Sequence, residues 1–267
     1  MLTDVHLPQT AEAAVELLQD GRVLLGGGTS LMARLNDYPS APTELVSLRR
    51  AGLAGIQPSG STVTIGAATT LSALLNDQRL SYLAKVVRSI ASPPVRSLAT
   101  VGGNLFVPQP HGDLTVALLA LDAELDLLNP DGPSVQSLGD FLDAPVRRDQ
   151  LVVRVRFSKP GPSAFRFLKA GRRRLNSAAI ATIAAKVQLE GQRVVDIRVA
   201  LGGLAAGVVR ARHVEAALVG KPLDAASLAV AADEGLADIS PRDDAYASAW
   251  YRTRVFPVHL RRALLGR

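Results

Sequence analysis

Gly26-Gly27-Gly28-Thr29-Ser30 and, far downstream, Thr100-Val101-Gly102-Gly103-Asn104 are the two stretches that say most about this chain. Each is a glycine turn set between apolar segments. Glycine has no Cβ, so the backbone there can take positive φ and approach a ligand closely. Successive free N–H groups in such a turn form a concavity that attracts phosphate oxygens, and Thr29 and Ser30 add hydroxyls. One turn suits one phosphate; two turns suit both halves of a pyrophosphate, which points to a dinucleotide. A turn with no close approach to make rarely needs three consecutive glycines, because each one raises the entropy lost on folding. Two common phosphate loops are excluded. A Rossmann turn needs G-x-G-x-x-G, yet from Gly26 the third glycine would fall at Leu31, and from Gly28 the second at Ser30. A Walker A loop needs Gly-Lys-Ser/Thr, and that triplet does not occur.

Outward from the first turn, the chain reads as a small α/β lobe. Thr10 is placed to cap a helix over 11–20, with Ala14, Leu17 and Leu18 on one face. Gly21 ends it, and a short strand over 22–25 delivers the chain to the glycines. A helical piece over 31–35 and a strand over 44–48 follow. Around the second turn, 62–67 alternates as a strand, 71–75 and 82–91 read as helices, and Ser92-Pro93-Pro94 breaks the latter. Asp113 is placed to cap an apolar helix through Leu121, and strands are expected over 124–128 and 151–157. Lys159-Pro160-Gly161-Pro162 reads as a linker. Beyond it come segments over 164–169, 179–189 and 193–201, the last two joined at Glu190-Gly191-Gln192. Propensity alone makes the alanine-rich segment over 179–189 a helix. Helices are expected over 214–219, 225–237 and 243–265, the last interrupted by Pro257.

Composition narrows the function. At 267 residues, 48% hydrophobic and 20% charged, the chain can bury a substantial core. It has no cysteine, which excludes disulfides, thiol catalysis and any iron–sulfur cluster held by this chain. His6, His111, His213 and His259 lack metal-ligand spacing, so no metal site is expected. Any redox chemistry must then use an organic cofactor. The net charge of +6 comes with only 4% aromatic residues, too few for base-stacking platforms. The run Arg172-Arg173-Arg174 reads as a solvated face or an anion contact, not a nucleic-acid site. No apolar run is long enough for membrane insertion, and the N-terminal residues lack a signal-peptide pattern, so the cytoplasm is the expected location. No Ser, His or Asp falls in a recognisable catalytic order, and no catalytic residue is assigned.

The ordered set of motifs resembles the flavin-binding subunit of the molybdenum hydroxylases, the xanthine and carbon monoxide dehydrogenase family. Leu25-Gly26-Gly27-Gly28-Thr29-Ser30-Leu31 is similar to the family's A-G-G-T-[DS]-L, and Thr100-Val101-Gly102-Gly103-Asn104-Leu105 to its T-[VI]-G-G-N-L. Pro110, Asp113 and the following Ala117–Ala123 continue the likeness. Lys169, Arg172 and Arg173 resemble K-x-x-R-R, Ser248-Ala249-x-Tyr251-Arg252 resembles S-A-x-Y-R, and Arg261-Arg262-Ala263-Leu264 matches the closing R-A-L.

The resemblance implies an α+β chain. A two-lobed PCMH-type FAD-binding domain would occupy 1–160, with a small lobe over about 1–52 and a larger one over 53–160. A smaller α+β C-terminal domain, a three-stranded sheet with helices, would occupy 161–267, with 179–189 a strand paired in a hairpin with 193–201 against its helical propensity. It implies FAD held by both glycine loops, with Asn104 fixing the loop or touching the ligand. Asp113 would serve ribose or ribityl hydroxyls, cap its helix, or do both. Ile90 and Val152 would line the flavin pocket or simply pack in the core, and Lys169 would lie near the flavin. It also implies partners: a large molybdenum-binding subunit and a small subunit with 2Fe–2S clusters, as a dimer of heterotrimers. FAD would collect electrons from those clusters and pass them to an external acceptor. Gln109, His111 and Ser177 depart from the family pattern; an aspartate is usual at the last position. Two other readings stay open here, a stand-alone FAD-dependent oxidoreductase and a flavin-free scaffold.

Overall fold

A computed structural model of the protein describes residues 2–18, 20–37, 44–173 and 176–266. Gln19, at the end of the first expected helix, and Arg174, the third residue of the basic run, lie outside the described residues. The chain divides into two compact units, each drawn from several segments. The first takes residues 1–81, 92–107 and 123–157; the second takes 82–91, 108–122 and 158–267. The division follows packing, so short stretches around Ile90 and Asp113 belong with the C-terminal half.

The first unit holds two sheets. A three-stranded parallel sheet places Glu44–Ser47 between Asp4–His6 and Val23–Leu25. The helix Ala11–Leu18 covers it, burying Ala14, Val15 and Leu18. Thr10 accepts a hydrogen bond from the Ala13 amide at 3.2 Å, and Gly21, at φ +79°, ends the segment. A five-stranded sheet runs in the order Ile56–Ser59, Thr62–Gly66, Leu151–Ser158, Glu124–Asn129, Gly132–Ser137. Ser92-Pro93-Pro94 does more than stop a helix. Proline suits the first helical turn, where its missing N–H is no loss, and the pair opens a new helix, Pro93–Leu98. The segment expected as one helix over 82–91 is a 3-10 turn, Gln78–Leu83, followed by the helix Ala84–Ser89.

The second unit is built on one antiparallel sheet, in the order Val209–Arg210, Arg193–Gly202, Ala179–Glu190, Phe165–Gly171. The expected three strands are present, with a two-residue fourth at the edge. Gly191, at φ +61°, makes the hairpin turn. The alanine-rich segment is a strand because it is covered on both faces. Ala181, Ile183, Ala185 and Val187 belong to a core shared with Phe256, Leu260 and Leu264 of the helix Ala249–Leu265. The helix Asp113–Ala120, buried along its whole length, also packs on this sheet. Small residues let it come close: a Cβ on Gly202 would stand 2.6 Å from Val116 Cγ2. Pro257 lies inside the last helix, which runs through it instead of breaking. That helix starts later than expected, at Ala249, because Ser248 caps it and accepts from the Tyr251 amide at 3.2 Å. Among the described residues no helix is long and apolar enough to cross a membrane.

Candidate functional site

In the first unit the strand Val23–Leu25 ends at Leu25, and the loop 26–30 leads into the helix Leu31–Asp37. Gly28 has φ +73°, and Thr29 and Ser30 are exposed. The Gly28 carbonyl accepts from the Met32 amide at 2.8 Å. The amides of Gly27, Gly28, Thr29 and Ser30 find no acceptor among the described residues. Four consecutive N–H groups are therefore open to a ligand, as a phosphate cradle requires.

The second glycine segment is built differently. It is a short helical turn, Val101–Leu105, capped by Thr100, whose Oγ1 accepts from the Gly103 amide at 3.1 Å. The Val101 amide donates to Thr69 O at 2.9 Å, that of Gly102 to Ala67 O at 2.8 Å, and that of Asn104 to Thr100 O at 3.0 Å. Every amide from Val101 to Asn104 is thus engaged within the protein. The expectation of two cradles of free N–H groups holds for the first segment and not for the second, because helical geometry and the capping hydroxyl take the donors. Neither Gly102 nor Gly103 has positive φ.

Packing explains these glycines instead. A Cβ on Gly27 would stand 1.8 Å from Leu98 O, and one on Gly102 would stand 2.9 Å from Ala67 Cβ. Cβ atoms on Gly26 and Gly103 would both meet Thr100 Oγ1, at 3.0 and 2.9 Å. The two segments lie against each other with Thr100 between them. Val152, also in this unit, is a buried strand residue opposite Leu127.

In the second unit the geometry centres on Asp113. The residue is 3% exposed and begins its helix without capping it. The N-cap is Gly112 in the left-handed region, at φ 84°, so the expected cap by Asp113 gives way to a different role. Its Oδ2 accepts from Lys169 Nζ at 2.6 Å and its Oδ1 from Thr182 Oγ1 at 2.6 Å. Lys169 Nζ also donates to Ser89 O at 3.0 Å, at the end of the helix whose C-cap is Ile90. A buried carboxylate paired and hydrogen-bonded in this way is satisfied, and each oxygen keeps acceptor capacity for a further donor. Asp113 and Lys169 were expected separately; that they are partners was not. Thr182 was missed. The available signal was one hydroxyl in the apolar run Ala178–Ala185.

Gln109, one of the departures, stitches its loop to the sheet. Its Oε1 accepts from the Gly203 amide at 2.6 Å and its Nε2 donates to His111 O at 2.7 Å. The His111 ring sits edge-on to Tyr246, with centroids 6.0 Å apart. Ser177 Oγ donates to Ala178 O at 3.1 Å. Arg252, noted only as part of a motif, is buried. Its Nη1 donates to Ala179 O, Ile180 O and Gly203 O, and its Nη2 to Asp244 Oδ2 at 2.7 Å.

A family described as the FAD binding domain in molybdopterin dehydrogenase matches residues 2–160, and one described as the CO dehydrogenase flavoprotein C-terminal domain matches residues 166–266. The chain belongs to this family: it is a FAD-binding subunit of the molybdopterin-dependent oxidoreductases. Among its relatives, the carbon monoxide dehydrogenase medium chain of Afipia carboxidovorans is 30% identical, over 98% of this chain and 95% of that one. The putative xanthine dehydrogenase FAD-binding subunit of Escherichia coli is 28% identical, over 96% and 90%. The solved structure of carbon monoxide dehydrogenase from Hydrogenophaga pseudoflava, which lacks the Mo-pyranopterin moiety of its cofactor, superposes with a TM-score of 0.91 at 29% identity, covering 99% of this chain and 96% of that one. The open amides of residues 27–30 fit the pyrophosphate of FAD, and the α+β architecture agrees with the one expected.

Proposed function

We propose that the chain is the electron-transferring medium subunit of a three-subunit molybdenum hydroxylase. Bound FAD supplies two-electron storage between iron–sulfur centres on a partner chain and an external acceptor. This chain's own residues bind and orient it. The amides of Gly27 to Ser30 and the hydroxyls of Thr29 and Ser30 hold the pyrophosphate. Leu98 and Ala99, just before the segment 100–104, and Thr100 within it support that loop from behind. Asp113 serves cofactor hydroxyls from a position fixed by Lys169 and Thr182. Lys169, neutralised by Asp113, exerts a smaller field than a free ammonium. Ile90 and Val152 supply apolar lining. The molybdenum cofactor and the 2Fe–2S clusters belong to the large and small partner subunits, and the dimer of heterotrimers and the cytoplasmic location go with that assembly.

The observation that carries the reading is the row of four unengaged amides in a chain of this family. Reconstitution tests it. The purified chain takes up FAD at up to one per chain and does not turn over heteroaromatic or aldehyde substrates alone; turnover appears with the two partner subunits. Turnover by the isolated FAD-loaded chain would instead identify a stand-alone flavoenzyme, and failure to bind FAD a flavin-free scaffold.

A further inference from the structure

The helix Ala249–Leu265 buries one face in the core of the second unit and leaves another uncovered. Phe256, Leu260 and Leu264 face inward. Outward, Trp250, Arg254, Val258 and Arg261 recur at the three- and four-residue spacing that makes a single helical stripe. Trp250 is the one tryptophan of the chain and is 69% exposed; Val258 is 48% exposed. The Arg254 guanidinium lies over the Trp250 ring, 5.8 Å from its centroid. Leaving an indole in water forgoes a large burial free energy. Trp, Tyr and Arg are also the residues most often found to dominate binding energy at interfaces, and exposed Tyr251 sits beside Trp250.

Charge says what fits there. From Ala249 to Gly266 the sequence has four arginines and no aspartate or glutamate. Arg252 is neutralised internally by Asp244. Arg254, Arg261 and Arg262 are exposed and have no ion-pair partner among the described residues. A second copy of the chain docked by two-fold symmetry would set these guanidiniums against their own images, which like-charge repulsion opposes. A complementary occupant is an acidic surface with an apolar socket for the indole.

We infer that this stripe is a docking surface for an acidic face of a partner subunit of the dehydrogenase complex, with Trp250 as anchor and Arg254 as both its cover and its charge contact. The inference rests on the three-subunit reading above. Lys or Glu side chains would cover the same helix at less exposure of apolar surface, so nothing in the helix's own stability calls for a tryptophan at this position.

The test uses the full FAD-loaded chain with the large and small subunits of its own complex, each expressed separately, and binding measured at several salt concentrations. Trp250→Ala is expected to weaken association with one of them by about 30-fold or more. Arg254→Glu weakens it further and flattens a salt dependence that the wild type shows between ~0.05 and ~0.5 M. Both variants keep the wild-type FAD content and melting temperature. Wild-type affinity in both variants overturns the inference while leaving the subunit reading intact. Failure of the wild-type chain to bind either subunit overturns both. A dimer of the isolated chain that Trp250→Ala dissociates would assign the stripe to a second copy. Binding to phosphatidylserine vesicles that Arg254→Glu abolishes, with subunit assembly unchanged, would assign it to a membrane surface. Either result rejects the proposed occupant.

Discussion

Two glycine segments of similar composition do opposite work in this molecule. In 27–30 the backbone amides find no acceptor among the described residues, and one residue, Gly28, takes the left-handed region. In 100–104 the amides are engaged, no glycine needs positive φ, and the missing side chains make room for Ala67 and Thr100. Glycine in the first segment leaves a row of amides open and makes room for a neighbour; in the second it makes room for neighbours. A glycine-rich run is thus evidence for close approach, and only the fate of the N–H groups tells whether the approaching group is a ligand or the protein itself.

Substitutions at the contact between the segments should have the largest effect. A Cβ on Gly27 would lie 1.8 Å from a backbone oxygen that no rotamer change can move. Gly27→Ala is therefore expected to destabilise the chain by about 3 kcal/mol or more, a fall in melting temperature on the order of 10 °C, together with loss of FAD. Differential scanning calorimetry of the apo chain separates this from a pure binding defect. An unchanged melting temperature would mean that the two segments do not interlock.

Thr100→Val comes next. It removes the hydroxyl that caps the turn Val101–Leu105 and leaves the Gly103 amide without its acceptor, at about 1 kcal/mol. Thr100→Ser restores the cap. FAD affinity should fall in the valine variant and recover in the serine variant, tracking stability. The double variant Thr29→Ala/Ser30→Ala should do the reverse: these residues are exposed, so the melting temperature of the apo chain stays within error while the FAD dissociation constant, read by flavin fluorescence quenching, rises roughly tenfold. If the two sets of variants behave alike, the division of labour between the segments is wrong.

Much of this was legible beforehand, and the misses have physical causes. The hairpin turn at Gly191, the cap at Thr10 and the open loop at Gly28 follow from local chemistry, and local chemistry is what a single sequence displays. Ala179–Glu190 was placed as a strand only through family resemblance, because its alanines answer to a helix packed on one face and a core on the other, neither of which is written locally. Asp113 shows the same limit. An acidic residue before an apolar helix reads as a cap, but Gly112 turns the chain instead, and the carboxylate finds Lys169 and Thr182, both more than fifty residues away. Spacing cannot reveal a partner brought in by the sheet. In the second glycine segment the composition was visible and the hydrogen-bond accounting was not.

The smallest expected effect distinguishes the two segments by pH. The first loop leaves the strand Val23–Leu25, which pairs with Glu44–Ser47. At the start of that neighbour, Glu44 Oε2 lies 3.0 Å from His6 Nε2 and accepts from Arg22 Nε at 2.6 Å. The hydrogen bond to His6, and next to it that from Arg22, hold the Glu44 carboxyl below its ordinary value of 4.5. A carboxyl whose pKa is lower in the folded chain than in the unfolded one contributes stability that is complete above the ordinary value and is lost as pH falls through the depressed one. Between pH ~6 and pH ~3 the sheet that presents the first loop should therefore loosen slightly. The amides of Val101 to Asn104 are held by Ala67, Thr69 and Thr100, and none of these acceptors is a carboxyl. Hydrogen exchange, corrected for intrinsic rates, should show reduced protection in the strand Val23–Leu25 at the acid end and unchanged protection of Gly102 and Asn104. Glu44→Gln should remove the difference between the two pH values. Equal acid loosening in both segments, or a pH response that survives Glu44→Gln, would show that this ion cluster does not set the stability of the loop-bearing sheet.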